Sequence, residues 1–306
     1  MQTYKKIIVV AAIVATIPMI TLAAQAPISV SNASQFPNSA VNAQTSLNWS
    51  GYVADRGTFT SVSGSWIVPD VASASSTMAD ATWVGIGGVT SENLIQAGTQ
   101  ALTDRRGNVT YEAWYEMLPQ DMQTIELPIR PGDAMSVSLT ETSADVWQVS
   151  FIDRTTGATY TTSLNYHSSL SSAEWIEEMP TANIGALPLD NFGSVMFTGG
   201  SATENGESVT IAGSNAKPLT MVTRNGSPLA SPSVLGTDGA SFAVNRSAAA
   251  TPSTSAVARY GSGRRGYRTT GFVVSSGFGN AGTGGDAPFL QSRIFQILRA
   301  QLGLNF

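Results

Sequence analysis

Carboxylates and amides are the side chains of this sequence best suited to catalysis. The 306-residue chain contains no Cys and a single His, His167, so most nucleophilic dyads and most zinc sites would lack necessary groups. Residues 173–178 read AEWIEE, and Gln96 follows a glycine-containing stretch that begins at Trp83. A carboxylate can take and return a proton, whereas an amide donates hydrogen bonds at any pH. We therefore expect any catalysis to depend on these two kinds of group.

Other catalytic chemistries find little support in the sequence. His167 lies in the polar stretch NYHSS and is predicted to be a surface residue. No Gly-x-Ser-x-Gly elbow occurs, and no glycine-rich phosphate loop precedes a helical pattern. Metal ligands do not cluster at a useful spacing. The sequence thus predicts neither a metal site nor a cofactor.

The elements that must position these groups are short strands. Apolar-alternating runs, separated by clusters of Gly, Pro, Asn and Ser, recur from residue 48 to about residue 245. Such runs are typical of antiparallel strands, and no long helical period occurs before residue 286. The number and spacing of the runs favour an all-β fold, a two-sheet antiparallel β-sandwich.

Alternation within the strands assigns the polar groups to faces. In residues 111–118 one face carries Glu112, Trp114 and Glu116. In residues 173–178 one face carries Glu174, Ile176 and Glu178. Ahead of Gln96, one side of the strand carries Trp83, Gly85 and Gly87. Two carboxylates beside a Trp make a poor core but a credible cleft, and the glycines leave room for a ligand or another chain to approach.

The charge composition limits the partners. Charged residues make up 12% of the chain, the net charge is −5 and the isoelectric point is near 4.9. These values argue against nucleic-acid binding through the whole surface. A protein with few ion pairs loses little when its carboxylates are protonated, so the composition permits an acidic working environment.

Both ends of the chain differ from this body. Residues 1–26 have the basic start, apolar run and small residues of a secretory signal peptide, with a retained membrane anchor as the alternative. Residues 27–46 are predicted to be a leader or pro-segment, or a simple linker, ahead of a catalytic domain at residues 47–245. Residues 246–285 are predicted to form a flexible Ser-, Gly- and Arg-rich linker or tail, and residues 286–306 a short amphipathic helix. We expect a secreted, extracellular protein without disulfides or stable membrane insertion.

Seven short motifs occur in the order found in one family of enzymes. They are NWSGY (48–52), WIVP (66–69), WVGIGG (83–88), IQAG (95–98), YEAWYE (111–116), PGD (131–133) and AEWIEE (173–178). Each motif alone is weak, but together they span the body of the chain. On these motifs the chain resembles the glutamic peptidases, or eqolisins, which are secreted acid-acting endopeptidases.

The resemblance implies a fold, a reaction and a site. The fold is a concanavalin A-like jelly roll, and the catalytic pair of the family falls on Gln96 and Glu174. Glu174 would act as general base and then as acid, and Gln96 would stabilise the oxyanion. Trp83 and Trp114 would line the substrate cleft with Glu116. The implied partner is a protein or peptide substrate, with no nucleic acid, and the chain is expected to be a monomer.

One residue departs from the family pattern. Fungal members carry an Asp where this chain has Gly87, so a hydrogen bond near the catalytic Gln is either absent or supplied by another group. This difference bears on the local mechanism and the pH optimum more than on the class of reaction.

Two other functions remain compatible with the residues. A jelly-roll glycosidase could use Glu116 and Glu174 as paired carboxylates facing each other across the scissile bond. A non-catalytic sandwich could hold a peptide or glycan at a surface, which Gly87 and the unusual C-terminal segment favour. Geometry distinguishes them, because a glutamic peptidase needs Gln96 beside Glu174.

Overall fold

The computed structural model describes residues 44–182 and 185–247, which form β-strands and no helix. The prediction of an all-β fold is therefore confirmed. The strands in chain order are β1 (Gln44–Ser46), β2 (Trp49–Ala54), β3 (Phe59–Ile67), β4 (Met78–Gly87), β5 (Leu94–Thr103), β6 (Val109–Met117), β7 (Gln123–Thr124), β8 (Ala134–Ser143), β9 (Val146–Asp153), β10 (Thr159–Asn165), β11 (Ala173–Glu178), β12 (Thr181–Ala182), β13 (Gly185–Ala186), β14 (Ser194–Glu204), β15 (Glu207–Thr210), β16 (Lys217–Val222), β17 (Pro228–Pro232) and β18 (Phe242–Arg246).

Most of these strands belong to one continuous sheet. Its hydrogen-bonded order is β10-β9-β8-β3-β14-β18-β17-β16-β2-β11-β4-β5-β6-β7, with β1 and β15 attached at the side. Neighbours along this path are antiparallel, whereas β1 pairs parallel with β16. The sheet folds over on itself, so that β3 lies against β4 and β11, and β8 lies against β4 and β5. The two predicted layers of the sandwich are thus the two halves of a single sheet.

Aromatic side chains fill the space between the two halves. The indole N–H of Trp66 on β3 donates to Thr99 Oγ1 on β5 at 2.9 Å. The indole N–H of Trp175 on β11 donates to the carbonyl oxygen of Ser63 on β3 at 2.8 Å. Both side chains are buried, and each crosses from one layer to the other while satisfying its polar atom. These contacts determine how the layers align.

A second apolar cluster covers the opposite face of the half that contains the predicted site. Strands β5 and β11 are buried along their whole length, and β4 along nearly all of it. Burial on both faces explains why these strands combine apolar residues with small ones instead of alternating strictly with polar residues. The cluster includes Trp49, Trp83, Trp114, Leu118 and Ile176. The predicted catalytic groups lie on this face.

Several sequence predictions concern residues outside the described ranges. The signal peptide (1–26), all but the last three residues of the leader (27–46), the tail beyond residue 247 and the helix at 286–306 lie there. The last three residues of the predicted leader, Gln44–Ser46, form β1. Within residues 44–182 and 185–247, no helix has the length and apolar character needed to cross a bilayer.

Candidate active site

The predicted catalytic groups lie in one row across four neighbouring strands. Glu174 on β11 is paired in register with Gly85 on β4, Gly85 with Gln96 on β5, and Gln96 with Glu116 on β6. Residues directly opposite each other in antiparallel strands point to the same face of the sheet. The structure therefore brings Gln96, Glu116 and Glu174 together in one row.

Gly85 leaves the space in which the carboxyl group of Glu174 lies. A Cβ atom placed on Gly85 would lie 3.2 Å from Glu174 Oε2 and 2.8 Å from Trp83 Cζ3. The Glu174 side chain therefore leans over β4 toward Gln96, across a position without a side chain. The glycine was predicted to make room for an approaching ligand or chain, and here the room is occupied by the side chains of Trp83, Leu94 and Glu174.

The amide of Gln96 is oriented by a carboxyl group. Its Nε2 donates to Glu116 Oε2 at 2.6 Å, so the amide nitrogen faces Glu116. The amide has a second N–H, and its Oε1 has no hydrogen-bond partner among the described residues. Glu116 thus holds Gln96 in one orientation and leaves one donor for another acceptor.

Glu174 lies in a strongly apolar environment. It is completely buried, and neither carboxyl oxygen makes a hydrogen bond of regular geometry with the described residues. Burial raises the pKa of Glu174 well above its ordinary value of 4.5, because water no longer stabilises the charge. The nearby Ser172 hydroxyl lowers this pKa, although it too lacks a hydrogen bond of regular geometry. Burial therefore favours the protonated form of this carboxyl group in the closed site.

The two predicted cleft tryptophans lie in the next row of the same face. Ile176, Trp83, Gly98 and Trp114 are paired in register across β11, β4, β5 and β6. Both indole side chains are completely buried within the second apolar cluster. Trp83 packs edge to face on Trp49, with ring centroids 5.0 Å apart and planes at 80°. The two indoles therefore form a rigid apolar wall beside the Gln96–Glu174 row.

Gln96, Glu116 and Glu174 each have a solvent exposure of 0%. A polypeptide substrate could reach them only after this face is uncovered. The site is thus closed off from solvent in this structure.

Gly87 occupies a backbone conformation that L residues rarely adopt. Its φ angle is +91°, and a Cβ atom at this position would lie 2.4 Å from the carbonyl oxygen of Asn93. Its backbone N–H donates to the carbonyl oxygen of Ser172 at 3.1 Å. An Asp, such as the fungal pattern has here, could not be accommodated without a shift of the loop between β4 and β5.

A further group of carboxyls, which the sequence reasoning missed, lies on the other side of β4 and β11. Asp80 and Glu177 are hydrogen-bonded to each other, and Thr82 Oγ1 donates to Glu177 Oε2 at 2.7 Å. Burial, with Asp190 nearby, raises the pKa of Asp80 to about 8, and burial and Asp80 raise that of Glu177 well above 4.5. Burial also raises the pKa of Asp190, to about 7. Alternation placed Glu177 on the face opposite Glu174 and Glu178, but no local signal paired it with Asp80.

His167 lies at the surface, as the sequence predicted. It is 83% exposed, and its Nδ1 lies 2.9 Å from Asp145 Oδ1. No group of three or more potential metal-ligating side chains occurs among residues 44–182 and 185–247.

The geometry also addresses the glycosidase alternative. Glu116 on β6 and Glu174 on β11 are separated in the sheet by β4 and β5. A glycosidase places two carboxyls across an open gap of about 5–9.5 Å, whereas here the amide of Gln96 lies between them. The row therefore matches an amide–carboxyl site better than a paired-carboxylate site.

Comparison with known proteins gives a consistent match. A family model described as the peptidase A4 family matches residues 47–244. Aspergillopepsin-2 of Aspergillus niger is 30% identical over 224 residues, which cover 65% of this chain and 78% of that protein. Scytalidopepsin B of Scytalidium lignicola is 32% identical over 210 residues, again covering 65% of this chain and 78% of that protein.

Solved structures show the same relationship. Scytalido-glutamic peptidase with a transition state analog inhibitor has a TM-score of 0.58 and 29% identity, covering 65% of this chain and 98% of that chain. Aspergilloglutamic peptidase from Aspergillus niger has a TM-score of 0.50 and 28% identity, and the match covers 56% of this chain and 99% of that chain. A further match, SCP-B, is described as a member of the eqolisin family in a complex with a tripeptide. Its TM-score is 0.54 and its identity 28%, and the match covers 65% of this chain and 98% of that chain.

Proposed function

Because this chain belongs to the peptidase A4 family, the eqolisins or glutamic peptidases, we propose that it is an endopeptidase in which Glu174 and Gln96 hydrolyse peptide bonds. The predicted family and the prediction of a peptidase are both confirmed by the match. The observation that supports the catalytic pair is the row Glu174–Gly85–Gln96, in which a glycine separates a carboxyl from an amide held by Glu116.

The two groups divide the chemistry between them. As carboxylate, Glu174 takes a proton from water while the water oxygen attacks the carbonyl carbon of the substrate. The second N–H of Gln96 donates to the oxyanion that forms, a contribution of about 3 kcal/mol in comparable sites. Glu174 then gives its proton to the amide nitrogen, the C–N bond breaks, and a carboxylic acid and an amine are released. Both groups end the cycle in their starting states.

Neighbouring residues would hold the substrate and the amide. Glu116 fixes the orientation of Gln96 through the 2.6 Å hydrogen bond, so that its free N–H faces the reacting carbonyl. Trp83 and Trp114 supply an apolar wall against which substrate side chains would pack once the site is open. The solved eqolisin bound to a tripeptide supports a peptide ligand at such a site.

Opening of the site would also activate Glu174. In the closed state burial raises its pKa and so favours the protonated form, which cannot act as a base. When water and substrate enter, the charged form is solvated again and the pKa falls toward its ordinary value. Activity in the acidic range therefore requires the open state. We propose that export removes residues 1–26 and that the mature enzyme acts outside the cell as a monomer.

The experiment is digestion of a denatured protein from pH 2 to 7 by the chain as an exporting host processes it. Glu174→Gln keeps the shape of the side chain but cannot accept the proton, so we expect no cleavage. Gln96→Ala removes the oxyanion donor, and we expect kcat to fall by about 100-fold or more. Both variants should retain the circular dichroism spectrum of the wild type.

Gln100→Ala is the matched control. Gln100 lies on the same strand and donates to Glu112 Oε2 at 2.9 Å, as Gln96 donates to Glu116. Its truncation removes an equivalent hydrogen bond and should leave cleavage near the wild-type rate. A folded wild-type chain that cleaves nothing between pH 2 and 7 would overturn the proposed function. Equal losses in the Gln96 and Gln100 variants would overturn the assignment of the oxyanion donor.

A further inference from the structure

A second row on the same face repeats the composition of the catalytic row. Glu178 on β11 is paired with Ala81 on β4, Ala81 with Gln100 on β5, and Gln100 with Glu112 on β6. The order carboxyl, small residue, amide, carboxyl is the same as in the row of Glu174. The two rows are four residues apart along each strand, about 14 Å. One row is assigned to catalysis, so the role of the other needs a separate explanation.

The second row differs from the first in how its carboxyl group is bound. Glu178 is completely buried, and its Oε2 accepts the indole N–H of Trp83 at 2.9 Å. Its Oε1 accepts the side-chain N–H of Asn48 at 3.3 Å. The oxygens of Glu174, by contrast, have no regular hydrogen bond with the described residues. A carboxyl group with a donor on each oxygen is suited to holding a neighbour in place, and poorly suited to transferring protons.

The side chain that Glu178 holds extends to the catalytic row. The indole nitrogen of Trp83 lies against Glu178, whereas Cζ3, on the benzene ring, lies 2.8 Å from the point where a Cβ on Gly85 would be. That same point is 3.2 Å from Glu174 Oε2. Trp83 thus connects the two rows: one edge of the ring is bound by Glu178 and the other borders the catalytic carboxyl. Trp49 packs edge to face on this ring and also interacts with Glu178, whose pKa it lowers.

We propose that Glu178 is a positioning residue that acts through Trp83, holding the indole ring so that its benzene edge forms the wall of the space shared by Glu174 and Gln96. The inference depends on the proposed peptidase function, because its effect on rate is exerted at that site. Loss of the acceptor would leave a buried indole N–H without a partner, and this cost would favour a shift of the ring within its cluster. The catalytic space would then lose one side.

A double-mutant cycle tests this coupling. Glu178→Asp keeps the carboxyl group but withdraws it from Trp83 by one methylene, and Trp83→Phe removes the N–H donor. We expect Glu178→Asp to lower kcat/KM by about 10-fold or more, the equivalent of one unsatisfied buried donor. In the Trp83→Phe background the same substitution should have little further effect, because the group through which it acts is absent. Near-ultraviolet circular dichroism should show the same non-additivity.

Two further variants separate positioning from a general structural role. Glu178→Gln retains an oxygen acceptor for Trp83, and burial together with Glu116 raises the pKa of Glu178 to about 8, so the neutral Gln resembles the protonated side chain at acidic pH. We expect Gln to retain near wild-type kcat/KM. Glu112→Leu removes the other carboxyl group of the row. Because Glu112 accepts from Gln100 and does not hold Trp83, this variant should also leave kcat/KM unchanged.

The outcomes distinguish the inference from the function that it depends on. Additive effects of Glu178→Asp and Trp83→Phe on both kcat/KM and the near-ultraviolet spectrum would overturn the positioning role while leaving the peptidase intact. A Gln variant as impaired as the Asp variant would overturn it as well. An inactive, folded wild type would overturn the proposed function alone, and the spectroscopic cycle would still decide whether Glu178 holds Trp83.

Discussion

Asp80→Asn removes one of the carboxyl groups buried between the two halves of the sheet. Asp80 has an exposure of 1% and is hydrogen-bonded to Glu177, which is itself completely buried. Thr82 and Asp190 are the other polar neighbours of this pair in the structure. A carboxyl pair of this kind is stable while at least one proton is shared, and it is costly to bury once both groups are charged. The Asn variant keeps the shape and the hydrogen-bonding capacity but cannot ionise.

The pH dependence follows from the raised pKa of Asp80. Burial raises this pKa to about 8 in the folded protein, against an ordinary value of 3.8. Between these values the folded chain keeps a proton that the unfolded chain has released, so the free energy of unfolding falls as pH rises. The contribution is fully present below about pH 4, decreases by about 1.4 kcal/mol per pH unit, and is lost as pH passes about 8. From pH 5 to 7 the free energy of unfolding should therefore fall by about 3 kcal/mol more for the wild type than for Asp80→Asn.

The assay is urea unfolding of both proteins at pH 5, 6 and 7, followed by tryptophan fluorescence. We expect the stability difference between Asp80→Asn and the wild type to shift by about 3 kcal/mol in favour of the variant across this range. Asp55→Asn, at an exposed position, is the matched control and should follow the wild type at every pH. Parallel pH curves for the wild type and Asp80→Asn would refute the reasoning, since Asp80 would then titrate alike in the folded and unfolded chains.

Two glycine substitutions provide further predictions. Gly85→Ala places a methyl group 3.2 Å from Glu174 Oε2. We expect kcat/KM to fall by about 100-fold, because the methyl group displaces the catalytic carboxyl. Peptide kinetics and urea unfolding are measured on the same variant, and a loss of activity only in proportion to the loss of folded protein would contradict this expectation. Gly87→Asp introduces the residue of the fungal pattern at a φ of +91° and against the carbonyl oxygen of Asn93. It should lower the free energy of unfolding by about 1–3 kcal/mol without raising activity, and an unchanged urea midpoint would show that the loop adapts to it.

Local pattern was sufficient to predict the faces on which the acidic side chains of residues 173–178 lie. Alternation in residues 173–178 placed Glu174 and Glu178 together and Glu177 on the other face, and the register of β11 agrees. The order of seven motifs along the chain was enough to indicate the family. These features are readable because side-chain direction in a strand has a period of two, independent of which strands become neighbours.

The pairing of strands could not be predicted in the same way. Nothing in residues 173–178 indicates that β11 inserts between β2 and β4, or that β4 continues to β5 and β6. That order decides that Gly85, and no residue with a side chain, lies between Glu174 and Gln96. It also decides that Glu178 meets the indole of Trp83 and that Glu177 meets Asp80. Each of these contacts joins residues far apart in the chain, so it depends on long-range packing that no local window contains.

The sequence by itself thus determined the chemical groups available, the all-β class and the face of each side chain, because these depend on residue type and strand periodicity. Only the tertiary structure decided which groups lie within hydrogen-bonding distance and which are removed from water. The raised pKa values of Glu174, Asp80 and Glu178 belong to this second kind of information. A carboxyl group has its ordinary pKa in the unfolded chain, and burial between packed strands is what changes it.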